Sequence, residues 1–529
     1  MLIDARAVPA GSTLDTDVLI IGAGPAGLAI ARELIGEACD VIVLTGGEDE
    51  YRIGRDNARQ LALGHLRGAQ SLARGERTGQ PYFPLSLTRV RAYGGTLSAL
   101  KSHGLRSRRF DPIDFEPLTA RGGIGWPYAL EELEPYYERA RAICALPETQ
   151  APAPDPGSLA VGRVRDIVFE YGGDRAVREL YGELERSEQI RVVRHGSATD
   201  LRNPAAGQPV DQVFVTSLDG PTFSVRPRLV VVAAGGIENA RLLLLSRSTQ
   251  PEGLGNQDDL VGRFFMEHLH MTAGFVEPTG PVGPLLERYG HHTEEYSLAI
   301  TNEAMREAGI LNSVFTVTAA RSDYLAPSVR ASAHLRGTLK HGIVTRQQAR
   351  YAARVLTAPG QFVSRVRRKF APGQPPDLIE LGVMSEQLPN PDSRVTLGRS
   401  RDRLGQQRAR LDWRVSAADV DSLSETVRIA DEDWRQAGLG RFVLRFDEEQ
   451  PKPLYRGGWH HMGTTRMHRD PSQGVVDPDT RLHAAPNVFV AGSSVFPTGG
   501  FANPTFTLAA VAIRTADTIK RDLGLPVGS

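Results

Sequence analysis

The sequence predicts an α/β fold in which strand–turn–helix units towards both ends of the chain are separated by a stretch that alternates strand-like and helical runs. Three observations carry this. Residues 18–21 (VLII) form a short apolar run ending in Gly22-Ala-Gly24-Pro-Ala-Gly27, and Leu28, Ala31, Leu34 and Ile35 then recur at helical spacing. Residues 228–236 (RLVVVAAGG) read as a buried strand entering a glycine turn, and Ile237-Glu238-Asn239-Ala240-Arg241 opens a Leu-rich helix. Residues 487–494 (NVFVAGSS) repeat the strand-to-glycine pattern near the C-terminus.

A chain of 529 residues is too long for one ordinary core, so two interleaved domains are expected. Lys plus Arg and Asp plus Glu both number 62, and this balance argues against nucleic acid as partner and for a small molecule. Only Cys39 and Cys144 are present, which excludes a disulfide framework and a thiolate metal site; both read as small core residues. No basic segment followed by an apolar one precedes Asp17, and every long apolar run is interrupted well short of a membrane span. The expectation is a soluble, cytoplasmic protein.

In the first motif, Gly22 allows the turn, Gly24 lets backbone approach a pyrophosphate, and Gly27 lets the helix pack close to the strand. Phosphates then meet the helix N-terminus. An acidic residue is expected about 20 residues on, holding the ribose hydroxyls. Thr45 stands there instead, followed by Gly46-Gly47-Glu48. A charged acceptor contributes about 1.5–3 kcal/mol and a neutral one about 0.5–1.5, so Thr45 holds the ribose more weakly unless Glu48 reaches it.

Residues 459–519 are the most informative stretch: WHHMGTTRM, then NVFVAGSSVFPTGGFANPTFTLAAVAIRTADTI. Together with the N-terminal glycine motif, this pattern resembles the glucose-methanol-choline (GMC) oxidoreductases, and within them the pyranose-oxidase-like branch that pairs a His with an Asn. The resemblance runs over nearly the whole chain and is strongest at its ends. It implies a Rossmann-like FAD domain of the two-dinucleotide-fold type, residues 1–265 and 450–529, interrupted by an α+β substrate domain, residues 266–449, built on an antiparallel sheet. The segment through Ala234 is similar to the second nucleotide-contacting segment of such flavoproteins. The segment through Gly492 and Ser493 is similar to the third, with Gly492 where many relatives carry Asp.

Residues 81–100 resemble the loop crossing the flavin ring. Gly94-Gly95-Thr96-Leu97-Ser98 is followed by Ala99-Leu100 where tethered relatives carry His, so FAD is expected to be bound non-covalently. His103 stands several residues further along, about 3.3 Å per residue in an extended loop, and reads as a loop histidine. Phe110-Asp-Pro-Ile-Asp-Phe115 and the run from Trp126 to Tyr137 follow the family's spacing. Pro127 is expected before a helix entrance, with Tyr136 and Tyr137 as packing residues.

The resemblance assigns catalysis to His460 and Asn503. Asn503 lies in Ala502-Asn503-Pro504-Thr505, and Thr505 joins it in the flavin contact. A carbinol C–H leaves as hydride only as its O–H proton departs, so a positioned base is needed, an effect of about 10²–10⁴ in rate. Imidazole near its ordinary pKa of about 6.5 does this at neutral pH, and an Asn amide can donate to the oxygen. Neighbouring side chains of an extended segment face opposite ways, and spacing to Gly463-Thr464 favours His460 over His461. Residues 462–467 are expected to bring backbone contacts to the flavin. His268 and His270 alternate on one strand face, but with no third His or carboxylate at ligand spacing the expectation is no metal.

The implied reaction is oxidation of a primary or secondary alcohol, on a sugar, glycoside or polyol, with oxygen or another acceptor reoxidising the flavin. Alternatives are an alcohol on a larger secondary metabolite, a non-redox lyase on the same fold, and a flavin-bearing binding protein. Between residues 330 and 369 every charged residue is basic. That stretch reads as a pair of solvated helices, against a membrane-surface or acidic-partner site or a lid.

Overall fold

A computed structural model describes residues 1–47, 68–99, 105–147, 158–172, 182–289, 294–340, 346–358, 360, 375–448 and 455–527. Glu48, His103 and the basic cluster at residues 365–369 lie outside the described residues.

The apolar runs seen in the sequence form the centre of an eight-stranded sheet. Thr13–Ile21 pairs in parallel with Val41–Thr45 on one side and with Thr222–Val232 on the other, in the register Leu19↔Ile42 and Leu19↔Val230. Val488–Val490 pairs in parallel with the end of Thr222–Val232, so residues far apart in sequence close one sheet. Ile190–Arg194 and Leu2–Asp4 extend it on the Val41–Thr45 side. Val18, Leu19, Ile20, Val41, Ile42, Val43, Val230, Val231 and Val232 are all fully buried. Burial on both faces explains why these strands read as continuous apolar runs rather than alternating ones.

The second unit is a seven-stranded sheet with antiparallel pairings throughout. Leu269–Pro278, Glu294–Ile300, Ser313–Ala320, Leu378–Ser385 and Gly440–Arg445 build most of it. Two further strands, Leu105–Ser107 and Val164–Gly172, come from earlier in the chain than residue 265. The sheet therefore draws on two stretches of chain, and this places Arg106 and Tyr171 beside the cavity described below.

The run after Trp126 differs from the expectation. The helix begins at Glu134, not behind Pro127: a 3-10 turn, Leu130–Glu132, intervenes, and Pro135 occupies the first turn of Glu134–Ile143. Tyr137 packs this helix against the C-terminal one, its hydroxyl 2.8 Å from Thr507 Oγ1 while accepting from Phe110 N. Cys39 and Cys144 are buried and unbridged; burial pushes their thiols up to about 11 and about 12, far from thiolate reactivity at neutral pH. Among the described residues no helix is long and apolar enough to cross a membrane.

Candidate active site

The glycine turn forms where the central strand ends. Gly22 N donates to Leu44 O at 2.8 Å, and Gly22 has φ +115° with the Ala233 carbonyl where a Cβ would stand. Gly27 lies so close to Gly22 O that any side chain would collide, which seats the helix Pro25–Glu33 directly on the turn. At Gly24, by contrast, no protein atom lies within 4 Å of the position a Cβ would take. That open direction faces a cavity of about 530 Å³.

The other sequence-derived residues, Gly94 excepted, meet on the same cavity. Gly94 N donates to Ala23 O at 2.8 Å, laying the Gly94-Gly95 turn against the glycine loop, and a Cβ on Gly95 would stand 3.1 Å from Gly24 Cα. Thr45, Ala234, Gly492, Ser493, Asn503 and Thr505 also line it. Asn239, which the sequence reading passed over, ties the second and third segments together. Its Oδ1 accepts from Ala234 N at 2.7 Å, while its Nδ2 donates to Ala491 O at 3.0 Å and Ser494 Oγ at 2.8 Å. Three helices begin at the cavity, behind Gly24, Gly235 and Asn503, and present their positive ends to it.

His460 and Asn503 are in direct contact, His460 Nε2 lying 3.1 Å from Asn503 Nδ2. Their hydrogen-bonding roles follow from their neighbours. Arg106 can only donate, and its Nη1 donates to Asn503 Oδ1 at 3.1 Å. The other edge of the amide, Nδ2, is therefore the donor to His460 Nε2. Arg106 is itself held by Glu295 at 2.7 Å and lies over the Phe169 ring, 3.4 Å from its centroid; Tyr171 donates to the same Glu295 at 2.5 Å.

On its other edge His460 Nδ1 lies 2.8 Å from His268 Nδ1, and His268 Nε2 lies 3.2 Å from Gly499 O. The segment before it hangs on Glu267, fully buried, whose Oε2 accepts from Gly458 N, His460 N and His268 N while Oε1 takes the Tyr82 hydroxyl. Burial, opposed by these hydrogen bonds, pushes Glu267 up to about 7. His461 turns to a different partner, its Nε2 3.0 Å from the Tyr82 hydroxyl.

Three expectations change. His460 does not keep an ordinary imidazole pKa: burial, and then His268, His270, His461 and Arg106, hold it well below that value. None of residues 462–467 lines the cavity, and the amides of Gly463, Thr465 and Met467 donate to the Ser493, Ser494 and Val495 carbonyls, that of Met462 to Met266 O and that of Arg466 to Gly463 O. The His268–His270 pair does acquire a third histidine, His460, which folding brings within reach so that the ring nitrogens lie within 4.8 Å of one another. Two nitrogens at about 2.0–2.1 Å from one tetrahedral ion stand roughly 3.3 Å apart. The 2.8 Å between the His268 and His460 nitrogens is instead a hydrogen bond.

Residues 389–512 match the family model described as GMC oxidoreductase. Over 96% of its length the chain is 27% identical to paromamine 6'-oxidase of Streptomyces fradiae, covering 92% of that protein. It is 25% identical to 2-methyl-1,2-propanediol dehydrogenase of Mycolicibacterium austroafricanum over 96% of this chain and 95% of the relative. The similarity to the GMC oxidoreductases thus lies in the family model over residues 389–512 and in these relatives over nearly the whole chain. The chain's fold is that of pyridoxine 4-oxidase from Mesorbium loti, with a TM-score of 0.55 at 17% identity over 95% of this chain and 98% of that one. The protein is an FAD-dependent oxidoreductase acting on CH–OH groups. The cavity fits that cofactor: the open position at Gly24 and the three helix N-termini suit a pyrophosphate and a ring that gains negative charge on accepting hydride.

Proposed function

We propose that this enzyme oxidises one carbinol of a sugar, glycoside or polyol to a carbonyl, with His460 as base and Asn503 holding the oxygen. The observation that carries it is the 3.1 Å contact of His460 Nε2 with Asn503 Nδ2 on the wall of the cavity that Gly24 opens into. FAD, when bound, supplies the acceptor for the carbinol hydride. Gly22, Gly24 and the helix behind them would hold its phosphates, Thr45 its ribose, and Gly94, Gly95, Ala234, Gly492, Ser493 and Thr505 the rest of the cradle, with no covalent bond.

The residues then do three things. The carbinol oxygen inserts between Asn503 and His460, accepting from Asn503 Nδ2 and donating its proton to His460 Nε2, so one protein–protein hydrogen bond is exchanged for two to substrate. Arg106 keeps the Asn503 amide from turning its oxygen toward the base. Glu267 holds the backbone at Gly458 and His460, which keeps the imidazole in place while the substrate enters. The depressed pKa leaves His460 unprotonated and ready at neutral pH, and the proton it accepts is the one that the carbinol must lose.

A polyhydroxylated substrate is supported by the wall around the pair, where Arg106 and Tyr171 offer polar groups and Trp459 offers an aromatic face, 40% exposed. The curated relatives, an oxidase of paromamine and a dehydrogenase of a propanediol, point to hydroxyl-rich small molecules as well. The test is anaerobic bleaching of the bound flavin across a panel of sugars, glycosides and simple alcohols. Fast reduction by a sugar, glycoside or polyol is expected; reduction by none of the panel would overturn the reading.

A further inference from the structure

We propose that His268 is a positioning residue that decides which nitrogen of His460 is the base, so that the catalytic unit is a polarised chain from Arg106 to the Gly499 carbonyl. The inference rests on the reading of His460 as base and deepens it. Each link has a fixed sense. Arg106 has only donors, so Asn503 presents Oδ1 to it and Nδ2 to His460, and His460 Nε2 must meet that donor with a lone pair. At the far end a backbone carbonyl can only accept, so His268 Nε2 carries a hydrogen for Gly499 O. Burial holds His268 down to about 4, so at neutral pH its ring is neutral and its Nδ1 is left as a lone pair. The 2.8 Å contact then has one solution, His460 Nδ1–H donating to His268 Nδ1.

Both ends of the chain therefore demand the same tautomer of His460, hydrogen on Nδ1 and lone pair on Nε2. This is the opposite of the tautomer that a histidine side chain favours in water. Without an acceptor on Nδ1, the ring gains by moving its hydrogen to Nε2, where it opposes the Asn503 donor and cannot take a proton. In the reaction the carbinol O–H proton goes to Nε2 while His460 keeps its Nδ1–H, and the hydrogen bond from Nδ1–H to His268 becomes charge-assisted and stronger as the imidazolium forms. His268 thus favours the state that follows proton transfer over the one that precedes it. His268 is fully buried and touches the base on the side away from the Asn503 contact, so its part is to orient and not to bind substrate. The sequence reading singled it out only as half of a possible metal pair.

The experiment uses the FAD-loaded enzyme and two substitutions. His268→Leu removes the acceptor at similar size; His268→Asn keeps an oxygen close to where Nδ1 stood. Anaerobic flavin reduction is expected to fall about 10- to 100-fold in His268→Leu, the range for losing a hydrogen bond to a charged group, and to recover most of that loss in His268→Asn. The ¹⁵N spectrum of histidine-labelled wild type, assigned by comparison with His460→Gln, is expected to show His460 with hydrogen on Nδ1 and a bare Nε2. A His460 signal with hydrogen on Nε2 would overturn the proposal even if neither His268 variant folds, as would equal rates in wild type and His268→Leu. If His460→Ala itself reduces flavin normally, the fault lies in the assignment of the base and not in the role of His268.

Discussion

Replacing Asn503 by aspartate tests the chain of hydrogen bonds most severely, because it changes charge while keeping shape. The new carboxylate can still accept from Arg106, but toward His460 Nε2 it offers an oxygen in place of an N–H. At the 3.1 Å of that contact, a full charge pair is worth about 1.3 kcal/mol at the dielectric of water and about 5 kcal/mol at an effective value of about 20. The protonated imidazole gains that much, which lowers the unprotonated fraction at a given pH by a factor of about 10 to 10⁴. In the wild type, burial holds His460 well below the ordinary imidazole range, so the rate of flavin reduction rises with pH only in acid and is flat around neutrality. In Asn503→Asp the rising limb moves to higher pH, since a raised pKa keeps the base protonated until the pH exceeds it. Anaerobic stopped-flow reduction from acid to alkaline pH measures both limbs. Asn503→Ala is the control: it loses the donor to the carbinol oxygen and lowers the plateau, without moving the limb upward. A limb in Asn503→Asp that coincides with the wild-type one would refute the contact between these two side chains.

Three further outcomes are expected. Gly24→Val fills the open position in front of the helix Pro25–Glu33 and should purify without flavin; normal flavin absorbance would place the phosphates elsewhere. Acid precipitation of the wild type should release all flavin into the supernatant, and colour left on the pellet would show a covalent link. Glu267 is pushed up to about 7 by burial against an ordinary value of 4.5, so the folded state binds its proton more tightly than the unfolded one and stability is lost as pH rises from 4.5 through 7. Relative to Glu267→Gln, which has no proton to lose, the wild type should give up about 2–3 kcal/mol of unfolding free energy between pH 5 and pH 8, measured by chemical denaturation at each pH. A difference that does not change with pH would mean that Glu267 is ionised throughout.

What the sequence made legible is what depends on neighbours in the chain. The strand-turn-helix around Gly22 and Gly24 was readable because that motif carries its own local geometry, whereas the pairing of His460 with Asn503, 43 residues apart, was implied only by the family resemblance. The supports of the base were not legible. Arg106 reaches Asn503 across 397 residues and His268 reaches His460 across 192, and no periodicity or spacing encodes such contacts. Glu267 directly precedes His268 in the chain, yet its role appears only when three backbone amides from two segments converge on one carboxylate oxygen. The expectation for residues 462–467 failed for a related reason: a Gly-Thr turn beside a histidine looks as though it should serve a ligand, whereas the amides of Gly463, Thr465 and Met467 are committed to the segment that starts at Ser493. The pKa of His460 was misjudged because a sequence gives no measure of burial.

The most direct test of the central claim is anaerobic flavin reduction by a reactive substrate in His460→Ala with FAD bound. The account predicts that the variant keeps its flavin and loses about 10²–10⁴ in the reduction rate, the range for a positioned base, together with the acid limb that the wild type shows. Reduction at the wild-type rate, or a loss of that size at His461 with none at His460, would contradict it.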